Sequence, residues 1–252
     1  MLVRRALSTA LCGTVLAQLV AMPAPAAASG AHVSTAQTSR WWQLECGEAG
    51  RKRAAGTTAC VLTVKLRGIT NGSRLHLVRQ ALRRRETVRR ALHRDVDFQI
   101  DVDSPGGELF ATLEIGRLMR AEGASITVGP GASCLSSCVF LLMGAIERHI
   151  SGGARVGIHR PSLRALPEGG PRQGSEDEIV ETMTGQLVVY AQQMNVPRRI
   201  IDAMMVIPPD RLKLLSAAEL AAYGITARDA VALKERRARA QSRRPPRAAQ
   251  GR

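Results

Sequence analysis

Strand-like and helix-like patterns alternate along the middle of the chain, and this order limits the folds open to it. β-branched, alternating segments occupy 60–70, 97–107 and 124–131, and helical spacing of apolar residues fills 76–94 and 108–123 between them. Strands that are separated by helical crossovers pair in parallel. The sequence therefore predicts an α/β fold with a mostly parallel sheet, built from repeated βαβ units.

Three polar features follow predicted strands. They are the SPGG turn at 104–107, the serine cluster in ASCLSSC (132–138), and His159 at the end of GARVGIH. In parallel sheets, reactive groups gather at the carboxyl ends of the strands. We therefore expect the three features to form one site.

Serine acyl transfer would use all three features. A serine at a strand-to-helix turn gains from the free N–H groups of the helix start. The two glycines of the turn allow an amide to approach closely, and a histidine can act as the base. The competing interpretation is structural, because small residues and buried cysteines also pack well in a core.

The same residues resemble a known family. DVDSPGGELFATLEIGRLM resembles the strand, turn and helix of the Clp protease proteolytic subunit, and ASCLSSCVFLLMGAIERHISGGARVGIHRPS resembles its nucleophile helix, strand and histidine. SAAELAAYGIT resembles the segment that closes that fold. The three motifs span 98–226 in the family's order, and they are most similar to exported Clp-protease-like proteins of bacteria. The resemblance implies a ClpP/crotonase-like fold of ββα and βαβ units.

The resemblance also implies a role for each motif residue. The position four before Phe140 matches the nucleophile, which selects Ser136 over Ser137. The remaining roles go to His159 as the base and to the backbone of Gly107, Gly106 and Ser137 as oxyanion donors.

The third member of the catalytic group departs from the family pattern. The family has an aspartate four residues before the serine that opens the last helix, where this chain has Leu212. Asp210, two residues earlier, is the candidate. A backbone carbonyl or Asp202 could orient the histidine instead.

The N-terminus predicts export. A charged start, an apolar stretch and the small-residue run PAPAAASG indicate a signal peptide at 1–28, with a retained membrane anchor as the alternative. A lead-in (29–59), a ClpP-like domain (60–227) and a basic disordered tail (228–252) would follow. We expect the mature protein to be periplasmic or secreted.

Removal of Cys12 with the signal peptide would leave four cysteines, and an even number in an oxidising compartment predicts disulfides. The sequence does not fix the pairing, although neighbours need the least chain closure. A four-ligand zinc site is the competing idea, but the spacings do not form two knuckles. The four candidates are Cys46, Cys60, Cys134 and Cys138.

The net charge of +15 comes mainly from arginine, much of it in 76–94. We interpret that segment as an amphipathic helix with a solvated cationic face; weak contact with anionic lipid or a polyanion is the alternative. No specific nucleic-acid binding is expected. The chain has no G-x-x-x-x-G-K-[ST] loop, so we expect no ATPase, and no metal or other cofactor.

These features predict an exported Clp-like serine endopeptidase that acts on peptide or protein substrates. The resemblance implies a homo-oligomer. One alternative is a catalytically idle binding or structural module of the cell envelope, in which a disulfide around Ser136 distorts or locks the turn; a reducible bond there would instead give a redox-gated hydrolase. Acyl-CoA chemistry on a crotonase scaffold would leave Ser136 and His159 unused.

Overall fold

The computed structural model describes residues 36–38, 40–46, 60–93, 95–162, 175–226 and 229–242. The predicted signal peptide and the last ten residues lie outside these ranges. Within them, no helix has the length and apolar composition that a membrane span requires.

The strands of the described residues form two sheets. They are β1 (Ala36–Thr38), β2 (Trp42–Cys46), β3 (Cys60–Arg67), β4 (Val96–Asp103), β5 (Ser125–Val128), β6 (Ser133–Leu135), β7 (Glu147–Ile150), β8 (Arg155–Ile158) and β9 (Lys213–Leu214).

The helices cover both the predicted crossovers and the C-terminal part of the chain. They are α1 (Gly72–Leu92), α2 (Leu109–Ala121), α3 (Val139–Gly144), α4 (Glu176–Gln193), α5 (Arg199–Met205), α6 (Ala217–Ala222) and α7 (Ala230–Ser242), and a 3₁₀ turn at Ser136–Cys138 precedes α3.

The larger sheet has six strands in the order β1-β2-β3-β4-β5-β7. The pairs from β3 to β7 are parallel, and β1 and β2 add an antiparallel edge. The smaller sheet has the order β6-β8-β9, with β6 and β8 parallel. This arrangement confirms the predicted α/β fold with a mostly parallel sheet, and it places part of the predicted lead-in inside that sheet.

Strands β3 and β4 confirm the two strands that the alternating pattern predicted. Each is eight residues long and buries every second side chain. Their register pairs Leu62 with Phe98 and Val64 with Ile100, so apolar side chains meet on one face. The two strands form the centre of the core.

Helix α1 has exposed arginines, among them Arg79, Arg83 and Arg84, as a solvated cationic face predicts, but this face also makes contacts. Several of its arginines bind carboxylates of α2 and its C-terminal end or stack on a tryptophan of β2, which ties the helix to its neighbours. These contacts are Arg79 with Glu114 at 3.2 Å, Arg85 with Glu122 at 2.5 Å, and Arg84 at 4.4 Å from the ring centre of Trp42.

The predicted disorder from residue 228 onward does not hold for Ala230–Ser242, which form α7. Asp229 accepts a hydrogen bond from the Ala232 N–H at 3.0 Å and so caps the helix start. Arg236 donates to the Gly123 carbonyl at 3.1 Å and to Asp97 at 3.1 Å. Composition alone indicated a solvated tail, because these long-range partners are not visible in the local sequence.

Arg148, on β7, supports the far end of the short helix α3. It is buried, and its guanidinium donates to the carbonyls of Leu142 at 2.5 Å, Met143 at 3.1 Å and Gly224 at 3.3 Å. Burial lowers the pKa of Arg148 to about 10, so the group remains charged at neutral pH. The guanidinium therefore satisfies carbonyls that the end of a helix leaves open.

Replacing Arg148 by methionine should lower the free energy of unfolding by about 3 kcal/mol, because buried carbonyls lose their donor. Urea denaturation measures the change. The matched control is Arg117→Met, since that side chain is 47% exposed and its ion pair with Glu114 spans 3.9 Å. The control should lose less than about 0.5 kcal/mol, and equal losses in the two variants would contradict the assignment.

Candidate active site

Ser136 lies at a tight turn between β6 and α3. Its φ is +55°, in the left-handed region that residues other than glycine seldom adopt. Two other described non-glycine residues have positive φ, His93 and Asn195, and both follow the ends of long helices, where this conformation is usual. Ser136 differs because it stands at a helix start.

Four of the predicted site residues share one cavity. A space of about 120 Å³ is bordered by Ser136, Ser137, Gly107 and His159. The fold thus brings the serine turn, the SPGG turn and the histidine together at one place, although they lie on separate elements. The rest of the lining is largely apolar and comprises Leu109, Phe140, Pro161, Ser162 and Met204.

A larger cavity, of about 540 Å³, lies between the start of β4 and α7. None of the predicted catalytic residues borders it. Three of its arginines are each bound to a carboxylate, so the charges are already paired. The pairs are Arg85 with Glu122, Arg120 with Asp229, and Arg236 with Asp97.

A hydrogen bond to the Gly106 carbonyl sets the direction of the Gly107 N–H. The Thr70 N–H donates to the Gly106 carbonyl at 2.8 Å, and the Glu108 N–H donates to the Thr70 carbonyl at 2.8 Å. In a trans peptide the C=O and N–H point in opposite directions. The Gly107 N–H, which shares its peptide with the Gly106 carbonyl, therefore points away from Thr70.

Neither glycine position of the turn has room for a side chain. A Cβ on Gly107, whose φ is +147°, would lie 2.1 Å from the Thr70 carbonyl oxygen. A Cβ on Gly106, whose φ is +103°, would lie 2.8 Å from Cβ of Ser136. The turn can approach the serine this closely only without side chains.

Ser104 joins the SPGG turn to β6. Its hydroxyl accepts a hydrogen bond from the Gly106 N–H at 3.1 Å and lies 3.1 Å from Oγ1 of Thr70. Its backbone bonds to Ser133 at 2.7 Å and Leu135 at 3.0 Å, on β6. The Gly106 amide is thus already engaged, which leaves Gly107 and Ser137 as the better oxyanion candidates.

Ser137 contributes a side-chain contact that the sequence analysis missed. Its buried hydroxyl donates to the Gly107 carbonyl at 3.2 Å, and Thr112 donates to it at 3.4 Å. The hydroxyl therefore connects the 3₁₀ turn before α3 to the SPGG turn. The available signal was that a buried serine hydroxyl needs a hydrogen-bond partner. The sequence does not identify that partner.

His159 follows β8, and its ring is held by the backbone. Nδ1 lies 2.8 Å from the carbonyl oxygen of Arg160. Because a carbonyl only accepts, Nδ1 carries the proton and Nε2 is left with a free lone pair. Nε2 is thus the nitrogen that can accept a proton in this cavity.

Neither acidic candidate is hydrogen-bonded to the His159 ring. Asp210 is exposed in the turn after α5 and does not border the cavity. Asp202 binds Arg198 at 3.0 Å in an exposed ion pair. Of the groups considered from the sequence, a backbone carbonyl, that of Arg160, is the one that contacts His159 here.

The four cysteines form two disulfides between sequence neighbours. Cys46 and Cys60 join β2 to β3 with an S–S distance of 2.03 Å. Cys134 and Cys138 are joined with an S–S distance of 1.96 Å, on either side of Ser136. This is the pairing of least chain closure, and it leaves none of the four thiols for a zinc site.

The family model described as Clp protease matches residues 87–231, more than half of the 252-residue chain. No curated protein matches the chain significantly.

Among solved structures, a mutant of the 1510-N membrane-bound stomatin-specific protease is similar with a TM-score of 0.50 and 20% identity, over 69% of this chain and 82% of that one. ClpP1 from Listeria monocytogenes is similar with a TM-score of 0.49 and 19% identity, over 65% of this chain and 87% of that one. At such identities a structural likeness concerns the fold alone. The family match, which covers the SPGG turn, the serine turn and His159 that meet at the cavity, shows that the chain belongs to the Clp protease family.

Proposed function

We propose that this chain is a serine endopeptidase that works through an acyl-enzyme. Ser136 Oγ attacks the peptide carbonyl while Nε2 of His159 takes its proton. His159 then gives that proton to the leaving amine, and water releases the acyl group in a second, equivalent step. The observation that carries the proposal is the common cavity of Ser136, His159 and Gly107.

The amides of Gly107 and Ser137 are the proposed oxyanion donors. The Gly107 N–H is directed away from Thr70, and Ser137 supplies the amide directly after the nucleophile. Donors that are fixed before the reaction stabilise the developing negative charge without reorganising. Bonds to Thr70 and Ser137 hold the SPGG turn for this role.

The substrates we propose are peptides or loosely folded proteins. The apolar part of the cavity wall is formed by Leu109, Phe140, Pro161 and Met204, which suits an uncharged side chain next to the scissile bond. The chain has no nucleotide-binding loop of its own, so unfolding of a folded substrate would need a partner.

We further propose that the protein is exported and works as a homo-oligomer. The signal-like N-terminus and the two disulfides support an oxidising location, periplasmic or extracellular. The proposal of a homo-oligomer is based on analogy with the Clp protease family.

A fluorophosphonate probe tests the proposed chemistry, because it reacts with an activated serine. We expect the unmodified chain to be labelled, with the adduct mapped to Ser136 by mass spectrometry. Ser136→Ala should not be labelled, whereas Ser137→Ala should keep labelling at a reduced rate. Failure of the unmodified chain to react would favour the idle binding module, which the position of Asp210 outside the cavity also suits.

A further inference from the structure

The Cys134–Cys138 disulfide encloses the nucleophile. Cys134 lies on β6, Cys138 ends the 3₁₀ turn, and Ser136 is the middle residue of the ring that they close. Both cysteines are fully buried. The bridge therefore lies in the protein interior behind the turn that carries Ser136, and neither cysteine borders the cavity itself.

Apart from the bridge, the turn that holds Ser136 is restrained by backbone bonds, and the Val139 N–H donates to the Ser136 carbonyl. Leu135, at the cap position of the 3₁₀ turn, makes no side-chain capping bond. The flanks are fixed, because the Leu135 N–H donates to the Ser104 carbonyl and Ser137 Oγ donates to the Gly107 carbonyl. Between these anchors, Ser136 alone must keep a left-handed backbone that is unfavourable for a residue with a side chain.

We propose that this disulfide is a positioning element for the nucleophile. In the oxidised chain it restrains the turn, so that Ser136 stays directed at the cavity; in the dithiol chain the same domain folds, but the turn relaxes toward ordinary helical backbone. The proposal rests on the proposed peptidase function and assigns the bridge an effect on turnover, beyond an effect on stability.

Formation of the bridge follows ordinary thiol–disulfide exchange. The two thiols lose two protons and two electrons, and a disulfide donor, either a dithiol–disulfide oxidoreductase or a small-molecule disulfide, is reduced to two thiols. Because both cysteines are buried in the folded chain, the bridge forms before or during closure of the domain. Burial then shields it from reductants, which favours a permanent brace over a reversible gate.

The test compares the disulfide form of the chain with its dithiol form, which differs from it by two hydrogen atoms. The host is the full chain with Cys12→Ala, Cys46→Ala and Cys60→Ala, so that Cys134 and Cys138 are its only thiols. It is refolded either with glutathione disulfide or with excess dithiothreitol. We expect kcat for a fluorogenic peptide to be about 10²-fold lower in the dithiol form, with KM little changed, because a misplaced reacting group costs that much.

The other disulfide provides the matched control. Cys46→Ala with Cys60→Ala removes a bridge between β2 and β3, away from the cavity, and should leave kcat near that of the unmodified chain. If the dithiol host does not fold, Cys134→Ala with Cys138→Ala gives an unbridged turn in its place. Equal kcat in the bridged and unbridged forms would overturn the proposal.

Amide hydrogen exchange separates this proposal from the peptidase function. We expect faster exchange in the peptide that covers 134–140 of the dithiol form, and unchanged exchange in β3 and β4. If the bridged host has no activity, the peptidase function fails, and exchange alone then decides the positioning role. Equal exchange at 134–140 in the two forms would refute that role.

Discussion

His159→Ala is expected to lower kcat for peptide hydrolysis by about 10⁵–10⁶-fold, the size of loss seen when a serine peptidase loses its base. Without Nε2, none of the described residues that border the cavity can take the proton from Ser136 Oγ as it attacks. A fluorogenic peptide at saturating concentration measures kcat, and circular dichroism shows whether the variant is folded. His76→Ala, on the exposed face of α1, is the matched histidine control and should keep full activity.

Ser136 and His159 should also act as one unit. The double variant Ser136→Ala/His159→Ala should be no slower than either single variant, because the first substitution already removes the attacking pathway. If the loss of kcat in the double variant equalled the product of the two single losses, the two residues would act separately. That result would contradict the proposed mechanism.

Asp210→Asn distinguishes the two ways of orienting the ring. Because Arg160 supplies the carbonyl at 2.8 Å from Nδ1, we expect kcat to stay close to that of the unmodified chain. A loss of about 10⁴-fold, as when a triad aspartate becomes an amide, would show that Asp210 reaches His159 in the working enzyme.

Gly107→Ala is the second substitution with a large expected effect. The added Cβ would lie 2.1 Å from the Thr70 carbonyl oxygen, at a φ of +147° that side chains avoid. The SPGG turn must then move, and the Gly107 amide moves with it. Loss of one oxyanion donor predicts a kcat lower by about 10²–10³-fold, together with a lower melting temperature.

The matched control is Gly129→Ala, just after β5. A Cβ there meets no atom within 4 Å, so kcat and melting temperature should stay near those of the unmodified chain. Full activity in Gly107→Ala would exclude this amide as a donor, and Ser137 would then have to supply the oxyanion contact alone.

The sequence predicted those parts of the fold that depend on the spacing of neighbouring residues along the chain. Alternation in 60–70 and 97–107 identified the two central strands, because a half-buried strand repeats every two residues. Local signals also mark the helix ends, since Pro197 lies between α4 and α5 and Ser216 with Glu219 forms a capping box at the start of α6. Strand β7 was missed, because its four residues, ERHI, are short and carry three ionisable side chains.

Long-range contacts account for the other differences. Helix α7 is held by the partners of Asp229 and Arg236 on α2, β4 and the residues between α2 and β5, which lie more than a hundred positions away in the chain. The sequence left the partner of the His159 ring open between Asp210, Asp202 and a backbone carbonyl, and the carbonyl of its own neighbour is the group that contacts it. Spacing along the chain does not reveal which polar atom is nearest in the folded protein.

By itself, the sequence determined the family, the order of the motifs and the types of residue that meet at the cavity. These follow from residue types at fixed spacing, because a glycine turn, a serine at a helix start and a histidine after a strand each need only local geometry. The tertiary structure alone decided how they are held: by the Thr70 bond that directs Gly107, the Ser137 hydroxyl, the Arg160 carbonyl and the bridge around Ser136. Those contacts join separate elements or depend on a turn's exact backbone path, so they exist only after the sheets and helices have packed.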